Sequence, residues 1–127
     1  MKKTVIKVAK SFAFALKGLF FVASQRNFRV HLLISVIVVL FGFLLQVSLV
    51  EWLVLFTMMA LVFSAETVNT AIEETCNIID ELHGLRFGDT ARPRNLAAGA
   101  VLILALLAAL IGLAIFLPKL TILLTLK

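Results

Sequence analysis

The chain has no tyrosine, one tryptophan, two prolines and one cysteine, and only 15% of its 127 residues are charged. Each shortage excludes something. A lone Cys76 rules out an internal disulfide and a multi-cysteine metal knuckle, so nothing asks for an oxidising compartment; a small apolar helix residue is its plainest reading. No Walker A sequence and no G-x-G-x-x-G occurs, which excludes a soluble-kinase nucleotide loop. No internal repeat and no low-complexity linker breaks the chain, and its length fits one domain, 1–127.

What fills the sequence instead is apolar. A hydrophobic content of 62% and a mean hydropathy of +1.12 exceed what a soluble domain this small could hide in a core. The chain therefore reads as an integral, all-α membrane protein. Its net charge of +5 could point to nucleic acid. The basic residues lie beside apolar runs without any nucleic-acid motif, so anionic lipid headgroups are the expected counter-charge and no nucleic-acid partner is expected.

Residues 1–24 carry Lys2, Lys3, Lys7, Lys10 and Lys17 among apolar side chains. At 100° per residue, Lys3, Lys7, Lys10 and Lys17 fall within an arc of about 80°, and Phe12, Leu16, Leu19 and Phe20 lie away from it. This predicts an amphipathic helix in the interface plane. A signal peptide is the rival, disfavoured because Lys17 interrupts the apolar stretch. After the polar bridge Gln25 to His31, a first span is expected over 30–48, and a second helix over 49–80. His31 at the mouth of the first span reads as an interfacial hydrogen-bonder, and Trp52 as an interfacial anchor. A loop over 81–93 and a third span over 94–117 complete the chain.

Ten of the twelve basic residues lie on the side of the N-terminus and the loop, against Lys119 and Lys127 on the other. The positive-inside rule therefore places the N-terminus and the loop in the cytoplasm, at the inner (plasma) membrane. In the third span, the pairs Ala105/Ala109 and Ala108/Gly112 would let helix backbones approach closely. Three spans leave little room to bury a polar site in one subunit, so a homo-oligomer with shared sites is expected.

The informative stretch is Ser64 to Asp80, where acidic and amide residues enter an apolar run. On a helix, Glu66, Asn69, Glu73, Asn77 and Asp80 share an arc of about 80°. A polar seam gluing helices is the bland alternative. A carboxylate inside a membrane is costly, however, and by default marks a functional site. Glu66 could act as a general base on a lipid hydroxyl. Glu73 could hold Mg²⁺ together with substrate phosphates. Arg92 and Arg94 offer cationic donors to phosphate oxygens. These are the parts of a phosphoryl-transfer site.

The run Glu66-Thr67-Val68-Asn69-Thr70-Ala71-Ile72-Glu73 resembles the E-x-x-N-(S/T)-A-I-E core of the prokaryotic diacylglycerol and undecaprenol kinases, small membrane lipid kinases. Ala97-Ala98-Gly99-Ala100-Val101, Lys17-Gly18-Leu19 and Asn27-Phe28-Arg29-Val30-His31 agree as well, so the likeness covers nearly the whole chain. The resemblance implies a homotrimer of three-span subunits with N-terminal surface helices, using Mg-ATP to phosphorylate a lipid alcohol. It implies that Glu66 is the catalytic base, Asn69 its polar neighbour and Glu73 a metal ligand. Lys17, Asn77, His83, Arg94 and Asn95 would meet the nucleotide, and Gln25 would stand at the second metal-binding position.

Three departures accompany the match. Gln25 stands where the family usually has a glutamate sharing the metal, Asn77 where it has an aspartate, and Arg94-Asn95 where it has Lys-Asp. An amide oxygen can coordinate but brings no charge against Mg²⁺, so metal and nucleotide are expected to bind more weakly. A divergent member with a rearranged metal shell and a chain deliberately altered to disarm catalysis both fit this pattern. Besides the active kinase, the alternatives are a catalytically weakened or silent family member and a small transporter with an intramembrane glutamate.

Overall fold

A computed structural model describes residues 2–84 and 86–125, and among these the chain is helical with no strand. Four helices follow one another: α1 (Lys2–Ala23), α2 (Arg26–Leu44), α3 (Leu49–His83) and α4 (Ala91–Thr125), with a short 3-10 turn at Phe87–Thr90. Lys127, counted in the charge asymmetry above, lies outside the described residues.

Local chemistry sets the breaks. Between α1 and α2, the Ser24 and Gln25 amides close back on Phe21 and Val22, and Gln25 takes an extended conformation. Between α2 and α3, Gln46 sits at φ 49°, left-handed, and the Val47 amide donates to the Gly42 carbonyl at 3.1 Å. Ser48 then caps α3: its backbone amide donates to Glu51 at 2.6 Å, and the Glu51 amide donates to the Ser48 hydroxyl at 3.4 Å. At the far end, Gly84 adopts φ 62° and sends its amide to the Asp80 carbonyl, a conformation cheap only for glycine.

The helix limits differ from the sequence reading at several ends: α3 runs on to His83 instead of stopping at 80 and α4 begins at Ala91 instead of 94, so less of 81–93 is loop than expected, and the first and last spans shift as well. The first span starts earlier, at Arg26, and ends at Leu44, because Leu45 to Val47 form the tight turn. The last helix does not stop at Leu117. It continues through Pro118 to Thr125, where Thr121 and Thr125 donate their hydroxyls to backbone carbonyls of the same segment. Proline removes one backbone donor, so the Ala114 carbonyl loses its usual helical partner, a single break that a membrane helix tolerates.

Helices α3 and α4 form the main antiparallel pair. An ion pair closes each end: Arg94 with Asp80 at 3.0 Å, and Lys119 with Glu51 at 3.1 Å. Helix α2 packs on α3 through Phe28 stacked on Phe63, centroids 5.0 Å apart, and through Gly42 and Phe43 against Trp52. Helix α1 is exposed along most of its length and is anchored near its end, where Val22 is 1% exposed.

Three helical stretches, Arg26–Leu44, Leu49–His83 and Phe87–Thr125, are long and apolar enough to cross a membrane. Their outward faces carry large apolar side chains such as Leu33, Leu40, Leu53, Leu106 and Leu110. Such faces suit hydrocarbon, which asks only that backbone polar groups be satisfied within the segment. This is the fold of an all-α, three-span membrane protein.

Candidate active site

The stripe expected on α3 is graded by burial. Glu66 and Asn69 are each 2% exposed, Glu73 is half-buried and Asn77 is exposed. The helical period of 3.6 sets the residues on one face, and the packing of α2 and α4 covers the part nearest the span. Asn27 and His31, from the first turns of α2, face Glu66, as does Glu73 from its own helix.

Asn69 fixes the next step of the stripe. Its Nδ2 donates to Glu73 Oε1 at 3.0 Å, while its Oδ1 is buried with no partner. A buried acceptor without a donor is costly, so this oxygen is a ready site for an incoming hydrogen or cation.

At the polar end, Arg94 draws the groups together. Its Nε donates to the Thr90 hydroxyl at 3.1 Å, Nη1 to the Glu73 carbonyl at 3.3 Å, and Nη2 to Asn77 Oδ1 at 3.1 Å and Asp80 Oδ2 at 3.0 Å. Thr90 in turn donates its hydroxyl to Asp80 Oδ2 at 2.8 Å. The ring of Phe87 lies 4.5 Å from the guanidinium carbon. Arg94 itself is 7% exposed.

The other expected site residues are not drawn in. Lys17 is exposed with its ammonium 5.9 Å from the Phe14 ring, Gln25 is half-buried at the α1–α2 break, and His83 and Asn95 are exposed. Among the described residues, no hydrogen bond or ion pair joins these four to the stripe. Nor do three His, Cys, Asp or Glu side chains gather as a metal cluster. Glu73, half-buried and hydrogen-bonded to Asn69 through Oε1, nevertheless fits Mg²⁺ as it is commonly held, by one or two protein carboxylates with phosphates supplying the rest.

A cavity of about 460 Å³ lies between α2, α3 and α4, lined by apolar side chains except for His31 and Ser35. Its lining runs along α3 from Val62 to Leu55, one turn and more from Glu66 toward the other membrane face. The sequence reading left Asn27, Thr90 and Phe87 out of the site and gave His31 only an interfacial role. The spacing of Asn27 and His31, one turn apart at a span's mouth, was the available signal for two of them. Thr90 had none, since its partners lie four and ten residues away across a turn.

A sequence model described as prokaryotic diacylglycerol kinase matches residues 13–116. The chain is 41% identical over 113 residues to the undecaprenol kinase of Bacillus subtilis, covering 87% of this chain and 89% of that one. It is 35% identical over 112 residues to the diacylglycerol kinase of Synechocystis sp., covering 87% of this chain but 62% of that longer protein. No solved structure matches significantly. With the family model spanning most of the chain and a graded polar stripe on its second span, the protein belongs to the prokaryotic diacylglycerol kinase family.

Proposed function

We propose that the chain is a lipid kinase that moves the γ-phosphoryl group of Mg-ATP to the hydroxyl of a membrane lipid alcohol, undecaprenol or diacylglycerol. The observation that carries this reading is Glu66, a carboxylate 2% exposed at the membrane end of a polar stripe that reaches an exposed Asn77. A lipid hydroxyl comes from the apolar side and a nucleotide from water, and such a stripe lets both reach one place. The names of the two relatives point to the same two alcohols.

Glu66 takes the proton as the hydroxyl oxygen bonds to the γ-phosphorus and the bond to the departing ADP oxygen breaks. Asn27 and His31 hold the alcohol near that carboxylate, and the cavity beyond them receives the hydrocarbon chain. Glu73, oriented by Asn69, would hold Mg²⁺ with Gln25, and the ion would offset phosphate charge. Lys17, Asn77, His83 and Asn95 line the approach of the nucleotide. The three amides at Gln25, Asn77 and Asn95 weaken metal and nucleotide binding relative to acids in those places.

The N-terminus and the 84–90 segment lie in the cytoplasm at the inner membrane, α1 rests on the bilayer surface, and three subunits share their sites. Lys17 and Gln25, unjoined to the stripe within one chain, then meet a neighbour's stripe. Purified protein incubated with labelled ATP, Mg²⁺ and each alcohol tests the reading. Transfer that Glu66→Gln abolishes supports it; binding without transfer supports a silent member, and neither binding nor transfer leaves the transporter.

A further inference from the structure

We infer that Arg94 is a positioning residue that locks the start of α4 onto the Glu73 turn of α3, and that it does not serve as a phosphate ligand. The inference rests on the kinase reading above. By sequence, an arginine beside a cytoplasmic loop is free to meet phosphate oxygens. By geometry, this one is not.

A guanidinium has five N–H donors in a fixed fork. In Arg94 four of these reach four acceptors on two separate segments: Thr90 in the 3-10 turn, and on α3 the Glu73 backbone and the side chains of Asn77 and Asp80. The Phe87 ring lies beside the guanidinium at 4.5 Å. Turning the group toward a phosphate would leave the Asp80 carboxylate without its counter-charge. That carboxylate already has one oxygen, Oδ1, buried with no partner. Breaking one side of a buried pair costs more than the pair itself is worth, because the remaining charge stays unmatched.

The bond from Nη1 to the Glu73 carbonyl gives the lock its functional meaning. It joins residues 21 apart in sequence and fixes the height of α4 against the same turn whose side chain Asn69 orients. One polar line therefore runs from Thr90 through Arg94 and Glu73 to Asn69, beside Glu66. A displacement of the loop would be felt at the carboxylate. Lysine could supply the charge but not a planar fork with four acceptors. Phosphate charge is left to exposed cations of the same region, among which are Arg86 and Arg92.

The two roles separate in the kinetics of the full chain, in bilayers containing undecaprenol or diacylglycerol, for Arg94→Lys and Arg94→Gln. A positioning role predicts that kcat falls by about tenfold to a hundredfold in both variants, as misplacement does. It also predicts that KM for Mg-ATP stays within about twofold. If Arg94→Gln instead raises KM for Mg-ATP about tenfold or more while Arg94→Lys retains activity, Arg94 is a phosphate ligand and the inference is overturned.

Should those variants fail to fold, Asp80→Asn keeps an acceptor and removes the charge. The lock predicts a lower kcat and an unchanged KM for Mg-ATP, whereas a lowered KM would mean that a released Arg94 binds phosphate. Hydrogen exchange gives an answer independent of activity. Asp80→Asn should speed exchange in both 73–80 and 86–94, and unchanged protection in both would contradict the lock. If the wild type transfers no phosphate to either lipid, the kinase reading fails, while the exchange comparison still decides the lock.

Discussion

Asn69 holds Glu73 by one hydrogen bond, Nδ2 to Oε1 at 3.0 Å, and both residues sit on the face of α3 that carries Glu66. The bond fixes which amide atom points where. Nitrogen is committed to Glu73, so the oxygen remains an acceptor, buried and unpaired. Groups that orient a metal-binding carboxylate are usually worth 10–100-fold in metal affinity or activity. We predict that Asn69→Ala lowers transfer by about that factor and raises the Mg²⁺ concentration at half-maximal rate. A Mg²⁺ titration of both proteins checks this; an unchanged half-maximal concentration would show that Glu73 needs no help from Asn69.

Gln25 and Asn95 lead to the opposite expectation. Both offer amide oxygens where the resemblance leads one to expect acids, and neither is bonded to the stripe within one chain. We predict that Gln25→Glu with Asn95→Asp raises ATP-dependent transfer and lowers the Mg²⁺ requirement, since a carboxylate brings charge as well as a lone pair. Initial rates over a range of Mg²⁺ decide it. Equal rates before and after would mean that these positions do not limit the chemistry.

Gly42 is a test of packing rather than chemistry. A Cβ at this position would collide with the six-membered ring of Trp52, which also stacks on Phe56. Because Gly42 lies next to the turn that starts α3, relief requires moving either the ring or the helix. We predict that Gly42→Ala destabilises the fold by about 1–3 kcal/mol, the usual cost of overpacking. Adding Trp52→Leu should recover part of the loss in a thermal denaturation series in detergent. Full stability of Gly42→Ala alone would mean that α2 and α3 can separate freely at this end.

The parts of this structure that were legible in the sequence are those a single helix writes by itself. Glu66, Asn69, Glu73, Asn77 and Asp80 recur at a helical period, so one wheel places them on one face. The apolar runs likewise announce three spans. Arg94 was legible as a cation near phosphate chemistry but not as a buried group, because its acceptors on α3 lie 14 to 21 residues back. The third span reads as ending at Leu117, yet α4 continues through Pro118 to Thr125, since one lost backbone bond does not outweigh a long apolar helix. The placement of Asn27 and His31 beside Glu66 depended on how α2 leans on α3. Phe28 and Phe63 set that lean through a contact between helices.

The central claim is that Glu66 removes the proton from a lipid hydroxyl during phosphoryl transfer. The direct measurement is the single-turnover rate of labelled phosphate transfer from Mg-ATP to undecaprenol or diacylglycerol, for wild type and for Glu66→Gln, which keeps size and hydrogen bonding but cannot accept the proton. The account predicts a loss of about 10²–10⁴-fold in rate, the span of general-base catalysis, with the melting temperature of Glu66→Gln unchanged or raised. Transfer by a folded Glu66→Gln protein within a few-fold of wild type would contradict it.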